Sequence, residues 1–463
     1  MRMRGLLSRK QVEDIHCAAL RVLEEVGVQV EHPVLRDKLA SIGAQVDKAA
    51  DRVRFPRTIL EDLIQNAPRH ISENPFPTIS MGCNIYQCQF LDPDTNKLKP
   101  FDEDLLARYY ALARSLPGIK RMGLLGLPFV PDGISPRAIP LAEKLYAWKH
   151  GVGVHGSVCL TELCEPLLEV FQIHASATGK SLKDVFRAGG YLISPLKLAR
   201  SECEQVIFFA ERGLKMWIGH LPSQGGTAPV TLMGTVTLIL AEQLFMFALD
   251  HALWGDVDFH VGGVVSTIDM RNGTSLYGRP ERQRVNLAFA DIAEFYGCSG
   301  GGHTGCTDAH TPSFEAGVQK SVGALFTALA TGSARIEAGL LGVDEICSPV
   351  QMILDHDMGQ GLGAMLAQPA EEEMERVYEE IAAAGPGGNH LGTDYTVERF
   401  KESLFEPFTW SRQLTPAWLA SGAVTDVDKA RDIVADFDRE FAPQSFVSEE
   451  EERELRAVIR RVA

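Results

Sequence analysis

From Ile119 onward one pattern recurs along the chain. A short apolar or glycine-rich segment is followed by a helical one, and this rhythm restricts the fold more than any other feature. The strand candidates are Arg121–Phe129, Gly153–Leu160, Ala188–Pro195, Met216–His220, Asp258–Ser266, Cys298–Gly302 and Ala334–Leu341. An eighth is expected near Asn389–Gly392. Helical spacing fills the gaps at Leu141–His150, Leu167–Thr178, Ala199–Arg212, Leu232–Leu253, Glu281–Tyr296, Glu315–Thr331 and Val350–Leu366. Strand-then-helix units of this length imply parallel strands, because a parallel neighbour needs a crossover connection. The count predicts an α/β fold, with a closed (β/α)8 TIM barrel over residues 119–395 fitting better than an open sheet. In such barrels the chemistry sits at the carboxyl ends of the strands.

Residues 1–118 read as an N-terminal helical and hairpin cap. Ser8-Arg9-Lys10-Gln11 opens an amphipathic helix with Ile15, Ala19, Leu20 and Val22 on one side. Further helical pattern covers Val34–Ala40 and Ile59–Asn66, and the alternation from Pro77 to Leu98 predicts a hairpin turning on Asp92–Asn96. Residues 396–463 form a charged helical extension, where Glu449–Glu452 is expected to be a solvated helix start. Val230–Leu249 has membrane-spanning length. Glu242 and Gln243 interrupt it, however, so a buried helix is expected.

Charge and cysteine usage exclude several classes. Lys plus Arg total 45 against 61 Asp plus Glu, a net charge of −16, so no basic footprint for nucleic acid or an anionic membrane is present. The nine cysteines are odd in number, scattered and free of C-x-x-C, which predicts thiols in a reducing cytoplasm. The basic start at Met1–Gly5 is not followed by an apolar run, so a secretory signal is not expected. Familiar motifs fail. Gly179-Lys180-Ser181 lacks the first phosphate-loop glycine, since position 174 is His174. Gly359–Ala364 follows a helical run instead of a strand. Asp92, Asp94, Asn96 and Glu103 match a calcium loop, but Lys97 stands at its obligatory glycine.

The strand ends are richer. His155, His220, His260 and His303 lie in or at the ends of four strand candidates. No His-x-His occurs in the first, and no Cys or Glu stands at zinc spacing, so no metal site is expected. These histidines either line a pocket or belong to the core. Gly300–Gly305 puts backbone N–H groups at a strand-to-helix junction, suited to a carboxylate or phosphate or else simply a tight turn. Ser223-Gln224-Gly225-Gly226 is a similar loop. Phe129, Tyr191, Trp217 and Phe259, and later Phe405, Phe408 and Trp410, offer faces that attract quaternary ammonium groups.

Several segments together resemble the trimethylamine methyltransferase family, in particular its members without pyrrolysine. The opening Leu7–Gln11 with Ile15-His16 and Val22–Val28 is similar to the family's first helix. Asp92–Phe101 with Asp104-Leu105 is similar to the family's hairpin and next helix, Thr307-Asp308-Ala309 with Glu315-Ala316-Gly317 and Lys320 to the segment after its sixth strand, and Gly387–Gly392 with Thr396 and Arg399-Phe400 to its C-terminal signature. The resemblance implies a (β/α)8 barrel that passes a methyl group from a methylated amine to the cobalamin of a separate corrinoid protein. Archaeal members carry pyrrolysine in a segment similar to Glu337–Gly342, where this chain has ordinary residues. That departure implies a quaternary amine, with glycine betaine first and proline betaine and carnitine after it. The candidate substrate-binding residues are His155, Tyr191, His220, Gln224, His303, Asp308 and Glu337, and the candidate cofactor-binding residues are Gly225, Gly226, Gly301 and Gly302. A zinc-dependent barrel enzyme (a hydrolase or a methanol-type methyltransferase) and a non-catalytic betaine-binding protein are the competing readings. The homo-oligomeric state stays open.

Overall fold

Strand segments rich in Gly, Val, Ile and Met alternate with long helices, and the observed elements follow that order. In this computed structural model residues 5–69, 76–156, 160–255 and 257–462 are described. The parallel strands are β1 (Thr78–Ile85), β2 (Ile119–Leu124), β3 (Gly153–Val154), β4 (Ala188–Leu192), β5 (Met216–His220), β6 (His260–Gly263), β7 (Ser299–Gly302) and β8 (Ser333–Glu337). A helix follows each strand: α1 (Glu103–Ser115), α2 (Ile139–Lys149), α3 (Cys164–Thr178), α4 (Arg200–Ala210), α5 (Leu232–Trp254), α6 (Pro280–Tyr296), α7 (Phe314–Thr331) and α8 (Pro349–Leu366).

The protein is thus a mixed α/β fold built on parallel sheets. β8, β1, β2 and β3 pair in that order, β4 pairs with β5, and β6 pairs with β7, all parallel. The last strand of the series is therefore hydrogen-bonded to the first, with Glu337 opposite Gly82.

The strand expected at Asn389–Gly392 is absent. Those residues form an exposed loop between the helices Met374–Ala384 and Asp394–Ser403. The missing strand is β1, inside the segment read as a hairpin. Its Met-Gly-Cys-Asn-Ile run is buried on both faces, so it lacks the alternation of a half-exposed strand. The hairpin is confined to Gln89–Leu91 and Leu98–Lys99, turning on Asp92, whose carboxylate accepts from Thr95 N at 2.9 Å. The expected Gly153–Leu160 strand shortens to two residues, and its residues 157–159 lie outside those described.

α5 is a core helix. Thr231 caps its start, and Glu242 within it is fully buried. It packs against the N-terminal helix Arg9–Arg21, which carries the expected capping box from Ser8 and Gln11. All described cysteines are free thiols.

The C-terminal helix Glu449–Arg461 departs from a solvated start. Its N-cap is Ser448, but Glu451 is buried with His174 Nδ1 2.7 Å away, and Glu452 pairs with Lys149 at 3.1 Å. Leu455, Val458 and Ile459 pack this helix onto α2 and α3. Ser448→Ala leaves the Glu451 N–H without its cap, and a loss of about 1 kcal/mol in unfolding free energy is expected by denaturant titration.

Candidate active site

Strand alternation puts Arg335 and Glu337 on the face of β8 opposite Ala334 and Ile336, which are buried in the apolar core. Glu337 is fully buried and gathers several groups. Asn84 of β1 donates to its Oε2 at 2.6 Å, Arg335 Nε lies 2.7 Å from Oε1, and His303 Nε2 lies 3.8 Å from the same oxygen. Burial works to raise its pKa, but His303, Arg335 and Asn84 outweigh it and hold the carboxyl at about 2.

His303 follows β7. Arg282 of α6 donates to its Nδ1 at 2.8 Å, and Cys306 Sγ lies 3.6 Å from that nitrogen. A guanidinium only donates, so Nδ1 accepts in this contact, while burial is outweighed by Cys306 and Glu337, which draw the ring's pKa up to about 9. Arg282 is itself buried and stacked over Tyr277, 4.1 Å from the ring centroid. Burial pushes the Tyr277 hydroxyl up to about 12, so that group remains a proton donor at neutral pH. Tyr86, just beyond β1, is shifted upward by burial and then by Glu337. Asp344, in the loop after β8, is also raised by burial.

Beside this cluster lies a cleft of about 600 Å³, lined by Tyr191, Trp217, His220, Phe259 and His260. Trp217 lies along the glycines of neighbouring strands: a Cβ at Gly189 would stand 2.1 Å from its ring. Tyr191 meets Trp217 edge-on at 5.3 Å. His220 gives its Nδ1 side to Glu242 at 2.7 Å, and Glu242 also accepts from Ser194 Oγ at 2.9 Å and Leu196 N at 3.0 Å. That leaves His220 Nε2 without a hydrogen-bond partner among the described residues.

The candidate residues therefore divide. His303 and Glu337 meet directly, and Tyr191 and His220 share the cleft. His155 stands at the end of β3, with its Nε2 and Asn84 Oδ1 each 2.6 Å from a Cβ built on Gly123. Gln224 is spent on Val230 O at 2.8 Å and Thr267 Oγ1 at 3.3 Å. Asp308 accepts from Tyr277 N at 2.6 Å and Gly278 N at 3.0 Å, and so holds the turn that presents Tyr277. The Gly225 and Gly226 amides close a local turn onto Ala228 O and Ser223 O. Gly301 and Gly302 belong to β7, and a Cβ on Gly301 would meet open space while one on Gly302 would strike Asn286. Phe129 packs on Tyr146 and Phe408 on His356, away from the cleft. Among the described residues no group of three or more His, Cys, Asp or Glu side chains converges as a metal-ligand set.

Asn84, Arg282, Arg335, Tyr277 and Glu242 were not singled out as site residues by the sequence. Glu242 left one signal, a lone carboxylate inside an apolar helix, which must find partners to be buried. Asn84 left none, because its strand was not recognised.

A family model, trimethylamine methyltransferase, matches residues 1–88 and 169–463. The chain belongs to the trimethylamine methyltransferase family. Relatives span nearly its full length. The trimethylamine methyltransferase of Methanosarcina thermophila is 24% identical over 441 residues, covering 90% of this chain and 89% of the relative. The enzyme of the same name from Desulfitobacterium hafniense DCB-2 is 24% identical over 435 residues, 90% and 86% of the two chains. A glycine betaine methyltransferase from D. hafniense Y51 is 25% identical over 442 residues, 89% and 88% of the two. Family membership makes this chain a methyltransferase, and the glycine betaine enzyme places a quaternary-amine substrate within the range of the family.

Proposed function

We propose that the chain moves a methyl group from a quaternary amine, glycine betaine or a related betaine, to the cobalt of a corrinoid protein in the cytoplasm. We also propose that its parallel strands close into one (β/α)8 barrel running from β1 to α8. Neighbouring runs already touch. A Cβ on Gly156 would lie 2.3 Å from Gly189 N, one on Gly263 2.9 Å from His220 Nε2, and one on Gly305 2.6 Å from Ile336 Cα.

The observation that carries the functional reading is the edge-on pair of Tyr191 and Trp217 at the wall of the cleft, in a chain of this family. A quaternary nitrogen is already cationic and leaves as a neutral amine, so it needs no proton donor and no covalent adduct. Every residue of Glu337–Gly342 is an ordinary amino acid, in keeping with such a substrate. Charge on the nitrogen falls in the transition state. A pocket that holds the cation by aromatic faces favours transfer more than one that pins it with a carboxylate, which would stabilise the ground state. Glu337 is already hydrogen-bonded by Asn84 and ion-paired with Arg335, so its charge is largely committed within the cluster. The reduced cobalt of the corrinoid supplies the nucleophile. The chain's task is to fix one N-methyl in line and keep water from the cleft. Of the glycine candidates, Gly301 has open space where a Cβ would stand, whereas Gly225 and Gly226 are folded onto their own turn.

The test mixes the full chain with free cob(I)alamin and a panel of methylated amines under anaerobic, reducing conditions. Loss of the cob(I)alamin absorbance with stoichiometric release of the demethylated amine is expected for glycine betaine. No reaction with any quaternary amine overturns the reading and leaves a binding protein. Stoichiometric zinc in the purified chain would favour the metal-dependent alternative.

A further inference from the structure

We propose that Arg335 is the anchor for a substrate carboxylate and that Glu337 positions it, so that the site selects zwitterionic amines over those bearing only a cationic head. This rests on the reading of the site as one for betaines, and it names the residue that would select them.

The argument starts from how Arg335 is held. Its Nε is ion-paired with Glu337 Oε1 at 2.7 Å, and Glu337 cannot follow a moving partner because it is fully buried with Asn84 on its other oxygen. Thr304 Oγ1 donates to the Arg335 carbonyl and fixes the backbone below. The two Nη nitrogens have no hydrogen-bond partner among the described residues. The side chain remains 37% exposed although Ala334 and Ile336 beside it are buried. A guanidinium bound along one edge and open along the other is prepared for a carboxylate, whose two oxygens match two parallel N–H donors.

The other cations nearby are already committed, Lys215 of the cleft to Asp250 at 2.6 Å among them. Arg282 is buried, stacked on Tyr277 and committed to His303. Lys320 is buried against Asp355. The Gly225 and Gly226 amides are closed into their turn, and Gly301 and Gly302 lie in the β6–β7 ladder. The carboxylate-binding role expected of the glycine-rich rims thus passes to Arg335. An amine with no carboxylate gains nothing from the open edge and is repelled by its charge.

The experiment is calorimetric titration of the full chain and of Arg335→Gln and Arg335→Lys with glycine betaine, choline and tetramethylammonium, each variant checked for folding by circular dichroism. Wild type is expected to prefer betaine to choline by more than tenfold. Arg335→Gln is expected to weaken betaine about 100-fold while leaving choline within about threefold, as loss of a charge-assisted bidentate contact requires. Arg335→Lys should recover part of the betaine affinity through its charge. Equal loss of betaine and choline in Arg335→Gln would mark a merely structural role and overturn the proposal. So would unchanged betaine affinity, or failure of wild type to bind betaine. The broader reading is judged separately. If betaine binding depends on Arg335 yet no amine consumes cob(I)alamin, the anchor stands and the transferase reading falls. If wild type demethylates choline as readily as betaine, the transferase reading stands and the anchor falls.

Discussion

Lys320→Ala is expected to lower the free energy of unfolding by about 3–5 kcal/mol, the usual cost of leaving a buried charge without its partner. Both members of the pair are fully buried, with Lys320 Nζ 2.5 Å from Asp355 Oδ2. The same ammonium donates to Glu337 O at 3.0 Å, beneath the site. Asp355 in turn accepts from Gly339 N and from Gln351 Nε2, each at 2.8 Å. Removing the lysine strands a carboxylate that burial already pushes toward its neutral form. The sign with pH follows. A carboxyl whose folded pKa is raised loses stability as pH climbs above its unfolded value, so the deficit of Lys320→Ala should shrink in acid. Thermal or denaturant unfolding at pH 5 and pH 8 measures it. A paired replacement, Lys320→Met with Asp355→Leu, should recover much of the loss. An effect below about 1 kcal/mol at pH 8 in the single variant would show that Asp355 needs no counter-charge.

The second large effect is expected at Glu337. Glu337→Ala frees Arg335, Asn84 and the Nε2 side of His303 together, and kcat/KM for methyl transfer should fall by roughly 10²–10³-fold, as expected when a buried hydrogen-bonded charge is removed. Glu337→Gln keeps the shape but has one acceptor oxygen in place of two, so it should lie between alanine and wild type. The carboxyl is depressed to about 2 in the fold, below the ordinary value of 4.5. Its contribution, roughly 3 kcal/mol from that difference, is therefore fully present above pH ~4.5 and lost as pH falls toward ~2. The stability gap between wild type and Glu337→Gln should narrow across that acid window and stay constant above pH 5. A gap that changed instead between pH 6 and 8 would point to His303 as the titrating group.

Much of the strand-and-helix order was legible because it is local. The helical segments Leu167–Thr178 and Glu281–Tyr296 appear almost as expected, as α3 and α6, since helical periodicity needs only neighbours a turn away. β1 was hidden because a strand buried on both faces shows no alternation and this one carries Gly, Cys and Asn. For the same reason Asn84 could not be paired with Glu337, 253 residues away.

The sequence by itself determined the order of strand and helix, the capped start of the chain and the family, because each rests on short-range spacing or on motifs kept in order. Only the tertiary structure decided which polar groups are spent and which remain open. Gln224 and the Gly225-Gly226 turn are consumed by local contacts and one oxygen of Asp308 by the Tyr277 and Gly278 amides, whereas Arg335 keeps its Nη edge. A side chain's availability depends on partners brought beside it from distant segments, and no local pattern records that.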